Sequence, residues 1–551
     1  MIDRIKILIL VLGVFTLSGC DDFFDTVPDS RIELEDIDDV AELVTNAYPA
    51  GSYLFLEGMT DNVGAVPSNI QLTQMEEAYN WQTISMEGQD TPSYYWANAY
   101  NAIAHANQAL KSLETIDGDK KKKDAVRGEA LLCRAYSHFM LVNMFGKHYD
   151  ATTATSDLGV PYIKEPEMTL LVSYQRETVE KTYDFIEEDM LEGLSLVSND
   201  YYKNTGKYHF TREAALAFAS RYYLYKGDYS QCLHFSKQLL GNTYNENYVR
   251  DYKAVLAGQG PKGRAQIFSS PEDQSNLLII RKKLGYQLYF QFGYRMTQNI
   301  ASRLYLGDSR SLNMWGANAD QSAVYQSKYE ALVKRASLTS NSGLPYTVQP
   351  VLRGEEVMFN MMESLMALGD KETNIEEQKL MDHQAASFFN NFLVERWNGP
   401  KTAPANTNPD TYFFDEFIGA YRRVYPDLYP DYTRNKAYNK FLSDGVTLNP
   451  DFDQAIKDEM DEKIRLDNRV ILSLLIHLER RREFAEEGLR WFDIKRLKLE
   501  VIHQNVSGAT DILKTDDPRK VLQIPQAAIS TGIEENPIET PAPVAEKLVR
   551  L

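Results

Sequence analysis

The densest group of residues able to do chemistry lies near the C-terminus, where arginines alternate with acidic side chains between Arg480 and Arg496. Glu483 and Glu487 are four residues apart, so one helical turn would place both carboxylates on the same face. Glycoside hydrolysis uses a pair of carboxylates, one as general acid and one as nucleophile or base. The neighbouring arginines favour another interpretation, an internal network of charge-assisted hydrogen bonds. We expect this cluster to be structural.

No other catalytic signature accompanies these carboxylates. The sequence has no HExxH motif, no GxSxG elbow, no P-loop and no GxGxxG in a strand context. Cys133 and Cys232 lie within apolar helical patterns that lack metal-ligand spacing, so both are expected in the core. The sequence is compatible both with two free thiols and with a disulfide between them. The chain is therefore not expected to be an enzyme, and the sequence predicts no catalytic residues, cofactor or metal site.

The remaining cysteine, Cys20, points to covalent lipid attachment. Arg4 and Lys6 precede an apolar run over residues 7–15, and Leu17-Ser18-Gly19-Cys20 completes the pattern of a bacterial lipoprotein signal. The apolar run is too short to cross about 30 Å of hydrocarbon. Residues 1–19 are predicted to be a signal peptide. Cys20 would become the lipidated first residue, because two or more acyl chains anchor a protein stably.

The segment after Cys20 is acidic and aromatic, and residues 20–30 are interpreted as a tether. Acidic residues directly after a lipidated cysteine also resemble the surface-export signal of some outer-membrane lipoproteins, and the sequence leaves both interpretations open. The net charge of -19 over 551 residues repels phosphate backbones, so nucleic acid is not an expected partner. No later segment approaches about 18 uninterrupted apolar residues, and the body is expected to be tethered only at one end.

Most of the body is predicted to be helical, because apolar residues recur at helical spacing. Asp36, Asp38 and Asp39 are interpreted as the acidic start of the first helix and not as a calcium loop. One later pair is typical of a tetratricopeptide hairpin, with Gly227 ending one helix and Tyr229 beginning the next. We infer degenerate helical repeats stacked as a scaffold. Helical spacing extends over Tyr95–Leu113, Ala125–Phe145, Val179–Leu196, Ala214–Leu240 (which contains this hairpin), Val351–Leu368, Gln378–Trp397 and Lys463–Phe484.

Two long segments, residues 51–91 and 243–346, do not fit the repeats and are rich in Gly, Asn, Ser, Tyr and Met. Strands are possible at Leu277–Ile280 and Leu288–Tyr294. Ordered excursions of this length are more often binding surfaces than linkers. We expect one domain over residues 31–551, divided into a helical-repeat part (31–242), a loop-rich excursion (243–350) and a C-terminal part (351–551).

The segment from Arg480 to Arg496 also carries a resemblance to a known family. Its Arg, Glu, Phe, Glu-Gly, Arg, Asp and Arg residues are similar in order and spacing to the C-terminal motif of the SusD/RagB family of outer-membrane nutrient-uptake lipoproteins. Trp96 and Ala106-Asn107 look like the first family helix, and Gly369-Asp370 matches a later hairpin. The tail departs from the family pattern at Ala528-Ile529, where Glu-Ile is usual. The resemblance covers nearly the whole chain.

This resemblance implies a mainly α, tetratricopeptide-like scaffold whose loop excursions carry the ligand surface. It also implies a lipid-anchored protein of the outer membrane, facing the extracellular side. Such a protein would bind oligosaccharide and deliver it to a SusC-like TonB-dependent transporter.

Sugar capture needs aromatic rings for the C–H faces and planar polar groups for the hydroxyls. Trp315 and Trp81 are the leading candidates, since Trp96, Trp397 and Trp491 are expected to be structural. The full set of predicted ligand-binding residues is Trp315, Trp81, Tyr305, Tyr79, Asp61, Asn313 and Arg295.

Two alternatives from other classes stay open. A surface tetratricopeptide scaffold that binds a peptide or protein would use helix grooves instead of aromatic loops. A polysaccharide-degrading enzyme would need a catalytic pair of carboxylates.

Overall fold

The computed structural model describes residues 34–537, with gaps at 69–71, 168–173, 203–204, 252–254, 256–259, 285–292, 306–314, 319–323, 331, 336–342 and 397–453. The predicted signal peptide, Cys20, the tether and Asn313 lie outside the described residues. Within the described ranges, no helix has both the length and the apolar character that a bilayer span requires.

The described chain is mainly helical, as the sequence predicts. Thr91, Thr178 and Thr211 each cap a helix by accepting a hydrogen bond from the backbone N–H three residues later. Asp36 caps the first helix in a capping box with Asp39, which confirms the helix-start interpretation. The α-helices are α1 Ile37–Val44, α2 Thr73–Tyr79, α3 Pro92–Thr115, α4 Lys120–Phe145, α5 Val179–Leu196, α6 Arg212–Lys226, α7 Tyr229–Leu240, α8 Gly260–Phe268, α9 Gln298–Leu304, α10 Gly354–Gly369, α11 Ile375–Arg396, α12 Gln454–Glu483, α13 Arg490–Arg496 and α14 Gln526–Ser530.

Successive long helices pack on one another: α3 on α4, α4 on α5, α6 on α7, and α10 on α11. Gly128 and Gly193 allow the close approach of α4 and α5, since a Cβ on Gly193 would lie 2.8 Å from the Gly128 carbonyl oxygen. Gly227 ends α6 with a left-handed φ of 75°. Across the α6–α7 pair, the hydroxyls of Ser220 and Ser236 are 2.9 Å apart. The predicted helical-repeat scaffold is confirmed.

The range Ala214–Leu240 contains the predicted hairpin, because α6 ends before Gly227 and α7 begins at Tyr229. Another predicted range is wrong at its start. The predicted helix Val351–Leu368 begins only at Gly354, because residues 351–353 end a β-strand in which Leu352 pairs with Leu278. A short buried apolar run fits either structure, so periodicity alone does not decide between them.

The second excursion is less irregular than its composition suggests. Its centre is a three-stranded antiparallel sheet in which β7 lies between β2 and β6. The predicted strand Leu277–Ile280 is confirmed within β2, whereas Leu288–Tyr294 lies outside the described residues except for its last two positions. The strands are β1 Gly64–Ala65, β2 Asn276–Lys283, β3 Tyr294–Arg295, β4 Gly316–Asn318, β5 Val324–Gln326, β6 Leu332–Arg335, β7 Gly343–Arg353, β8 Val501–Gln504 and β9 Thr510–Leu513.

The Arg480–Arg496 cluster forms buried ion pairs that join distant parts of the chain. Glu483 accepts hydrogen bonds from Arg353 at 2.7 Å and from Arg396 at 3.0 Å. Burial opposes ionisation, yet these two guanidinium groups hold the pKa of Glu483 well below its usual range. Lys328 donates to Glu487 at 2.7 Å. The contacts agree with the structural interpretation of this cluster.

The two described cysteines do not form a disulfide. Cys133 and Cys232 are both buried free thiols. Burial raises the pKa of the Cys232 thiol to about 11, which keeps it protonated. Both behave as small core residues, as the sequence predicts.

Candidate functional site

Two of the predicted aromatic residues, Tyr79 and Trp81, pack on the same imidazole. The Tyr79 ring lies 4.0 Å from the His503 ring at an interplanar angle of 1°, and the Trp81 ring lies 4.3 Å from it at 10°. His503 is on β8, where alternate residues are buried, so its side chain points inward. The Arg519 guanidinium carbon lies 5.2 Å from the Trp81 ring centre. The first excursion is thereby fixed to the C-terminal part of the chain.

Trp81 is held in an unusual backbone conformation. Its φ of 50° lies in the left-handed region, which costs a bulky residue about 1 to 2 kcal/mol. Its indole Nε1–H donates to the Met59 carbonyl oxygen at 2.9 Å. The ring nitrogens of His503 lie 2.7 Å from the Tyr79 carbonyl oxygen and 2.9 Å from that of Thr60. These contacts hold the indole in one orientation.

Trp81 lines a pocket of about 240 Å³ between the first excursion and the C-terminal segment. Apolar side chains form part of the lining, and amide, hydroxyl, carboxylate and guanidinium groups form the rest. The apolar residues are Met59, Trp81, Ile84, Pro92, Val521, Leu522, Ile524 and Pro525, and the polar ones include Gln82, Ser85, Glu87, Gln523 and Gln526. Gln82, Glu87 and Gln526 are exposed, so their side chains are accessible to a ligand. This composition suits a molecule with an apolar face and hydroxyl edges.

Asp61 is engaged by arginines of the C-terminal cluster. Arg490 makes two hydrogen bonds to its carboxylate, and Arg481 lies 3.1 Å from one of its oxygens. Burial opposes ionisation, but these two guanidinium groups hold the pKa of Asp61 below its usual range. About a quarter of its side chain is exposed. Asp61 thus fixes the first excursion to α13.

Arg295 and Tyr305 are both buried in the second excursion. Arg295 pairs with Gly64 in the two-stranded β1–β3 sheet. The Tyr305 hydroxyl lies 3.4 Å from the Arg482 carbonyl oxygen, and its ring belongs to a small apolar cluster with Met296. Neither residue lines the Trp81 pocket.

Trp315 lies apart from Trp81. It is 4% exposed and packs edge-on against Phe268, with ring centres 5.1 Å apart. The Arg250 guanidinium carbon lies 5.7 Å from its ring centre. Trp315 lies in a turn directly before β4, and its indole is packed in the core. Trp81 is equally buried but borders a pocket.

The sequence analysis did not single out His503, Arg519 or the segment from Val521 to Gln526. His503 carried a weak signal, since it lies in an alternating run that predicts a half-buried strand. Arg519 carried no signal in the sequence, because its position over Trp81 depends on packing between residues more than 400 sequence positions apart. Among the described residues, no group of three or more His, Cys, Asp or Glu side chains could hold a metal ion.

Comparison with known families agrees with this architecture. Residues 22–224 match a SusD-like family model described as "Starch-binding associating with outer membrane". A SusD-like protein from Formosa agariphila is 26% identical over 156 residues, which cover 27% of this chain and 27% of that protein. The match therefore spans little more than a quarter of that relative's length.

Solved structures share the fold over nearly the whole chain. A putative sugar binding protein from Bacteroides vulgatus has a TM-score of 0.60 at 18% identity, covering 92% of this chain and 99% of that chain. A SusD superfamily protein from Bacteroides thetaiotaomicron has a TM-score of 0.58 at 18% identity, covering 91% and 100%. A laminarin binding SusD-like protein has a TM-score of 0.52 at 16% identity, covering 92% and 100%.

The predicted resemblance is confirmed: residues 22–224 match the SusD-like family model, and the fold is similar to that of solved SusD superfamily structures. At these identities the solved structures establish the fold alone. The description of the matching family model names starch binding and association with the outer membrane.

Proposed function

We propose that this chain is a surface lipoprotein that captures neutral oligosaccharide and delivers it to a SusC-like TonB-dependent transporter. The observation that carries the proposal is the Trp81 pocket, where a rigidly held indole and other apolar side chains lie beside accessible amide and carboxylate groups. A pyranose would place its C–H face on the apolar side and its hydroxyls toward Gln82, Glu87 and Gln526. The match of residues 22–224 to a family model described as starch-binding supports the carbohydrate class.

The charge of the protein supports a neutral ligand. A net charge of -19 repels polyanionic glycans, and the pocket lining combines Arg519 with Glu87. Arg519 already donates to Asp511 at 2.6 Å and to Asp517 at 2.8 Å, so its charge is compensated within the protein. Binding is expected to be modest in strength, because a protein that passes its ligand to a transporter must also release it.

Calorimetry on the folded chain tests the binding proposal. The probes are maltoheptaose and laminariheptaose. Maltoheptaose represents the starch named for the family model, and laminariheptaose represents the laminarin named for a structural relative. Gln82→Ala combined with Gln526→Ala removes two exposed polar contacts, and we expect affinity to fall about tenfold with an unchanged melting temperature. Gln231→Ala, an exposed glutamine on α7, is the matched control. Cleavage of either probe, or equal affinity in all variants, would overturn the proposal.

Co-purification tests the delivery step. A tagged full-length protein, extracted in mild detergent from its own outer membrane, should bring down a TonB-dependent transporter in a roughly stoichiometric amount. Recovery of the tagged protein alone from membranes that contain the transporter would count against delivery, even if the calorimetry supports sugar binding.

A further inference from the structure

A second pocket lies on a different part of the molecule and shares no lining residue with the Trp81 pocket. Its volume is about 660 Å³. It lies between two 3₁₀ turns, Gly206–Tyr208 and Glu246–Tyr248, with the start of α6 and the loop before β2 completing the wall. Part of its lining belongs to the second excursion, but none of the described residues predicted to bind ligand lines it.

The aromatic walls of this pocket are fixed by contacts outside it. The Tyr202 ring stacks on His209 with centres 4.3 Å apart at 15°, and its hydroxyl donates to the buried carboxylate of Glu129. Tyr248 packs tightly against the start of α10, where a Cβ on Gly354 would lie 2.8 Å from the Tyr248 Cβ. A ligand would therefore meet walls that are already ordered, which lowers the entropic cost of binding.

The polar lining provides planar amides and one side chain of each charge. Asn245, Asn247 and Gln274 contribute side-chain amides, which both donate and accept hydrogen bonds. Lys207 and Glu213 contribute opposite charges, and the Glu213 carboxylate also accepts from Asn199 at 2.7 Å. This lining therefore favours neither an anion nor a cation.

Lys207 is well placed to donate to a ligand. Burial lowers the pKa of its ammonium group. Within the described chain, its ammonium group donates a long hydrogen bond of 3.4 Å to the Gln274 carbonyl oxygen. A hydroxyl group that accepts from the ammonium would replace part of the lost hydration.

We propose that this pocket is a second binding site for neutral oligosaccharide. Tyrosine rings and amide side chains complement the C–H faces and the hydroxyl edges of a sugar. The ligand class rests on the proposed function, whereas the location rests on the pocket itself. Two separate sites would let one long glycan chain bind at two points, which strengthens overall binding without making either site tight.

Calorimetric stoichiometry tests this inference with maltoheptaose and laminariheptaose as probes. We expect one of them to bind the unaltered protein at two sites. Asn247→Ala combined with Gln274→Ala should weaken one site at least tenfold and leave the other unchanged, since both side chains are exposed and their loss should not unfold the protein. Tyr248→Ala should affect the same site. Tyr208→Ala is the matched control, because Tyr208 is exposed at the end of the turn Gly206–Tyr208 but does not line the pocket.

The possible outcomes separate the two proposals. A single site that is weakened by the Gln82 and Gln526 changes, but not by the Asn247 and Gln274 changes, would overturn the second site and leave the proposed function standing. Two sites of which one responds to Asn247 and Gln274 would support the inference. Absence of binding for both probes would overturn the proposed function, and the second site with it.

Discussion

Arg490 and Asp61 form a bidentate ion pair in which both N···O distances are 2.8 Å. The pair joins the first excursion to α13, across 429 positions of sequence. Arg490 is almost buried, and the side chain of Asp61 is one-quarter exposed. A carboxylate that the sequence assigns to ligand binding is thus engaged in holding the fold together.

Replacing Arg490 by Ala should destabilise the protein. The change leaves the Asp61 carboxylate without its bidentate partner, and loss of one member of a buried pair costs about 3 to 5 kcal/mol. Partial exposure of Asp61 places the expected loss near the lower value. Thermal and urea melts measure it. Lys120→Ala is the control, because its pair with Asp124 is exposed and should contribute well under about 1 kcal/mol. Normal stability with lost ligand binding would instead indicate a functional role for Arg490.

Acidification should destabilise the protein partly through His138. Burial lowers the pKa of this histidine to about 3, compared with about 6.5 in an unfolded chain. Its Nδ1 lies 2.9 Å from the Arg134 carbonyl oxygen, and its Nε2 accepts from the Ile163 N–H at 3.1 Å. Protonation of Nε2 would break the second bond. The unfolded state therefore binds more protons between these pKa values, and stability falls as pH decreases from about 6.5 toward about 3.

Melting curves at pH 7 and pH 4.5 check this prediction. His138→Gln should lower the melting temperature at pH 7 and reduce the further decrease at pH 4.5, because the titrating group is gone. His234→Gln, at an exposed position on α7, should keep the pH dependence of the unaltered protein. If His138→Gln shows the full acid effect, His138 does not contribute to it.

Truncation of Trp315 should reduce stability more than ligand affinity. The indole is buried against Phe268, so Trp315→Ala leaves a cavity and should cost about 3 to 5 kcal/mol. Thermal melts measure the loss, and calorimetry at a temperature where the variant is folded measures oligosaccharide affinity. Trp315→Phe keeps much of the apolar volume and should recover part of the stability. An affinity loss of tenfold or more in the folded variant would assign Trp315 to a binding site.

Cys20→Ala should remove the protein from the outer-membrane fraction, because the acyl chains need the cysteine thiol and the new amino terminus. Membrane fractionation and mass spectrometry of the N-terminal peptide measure this directly. Cys133→Ala, which changes a buried core thiol, should leave the fractionation unchanged. Protease added to whole cells tests the surface location. Protection of the unaltered protein until the membrane is broken would contradict the extracellular assignment.

Local patterns in the sequence were sufficient to predict the scaffold. Helical periodicity and the glycine stop at Gly227 act over a few residues, so they predicted the helices and the α6–α7 hairpin. The alternation of arginines and acids near Glu483 likewise predicted a structural network, because buried charges require partners. The cluster also carried the resemblance to SusD-like proteins, which the match of residues 22–224 to a family model supports from a different part of the chain.

Tertiary structure decided which side chains were left for a ligand. The sequence treated Trp81 and Trp315 as similar loop aromatics, but Trp81 borders a pocket and Trp315 packs into the core. Asp61 forms an ion pair with Arg490, and Arg519 lies over the ring of Trp81. Each contact joins residues more than 400 positions apart in the sequence. Residue type and spacing report local backbone preferences. Whether a ring remains accessible depends on which distant side chains pack against it, and that is fixed only when the whole chain has folded.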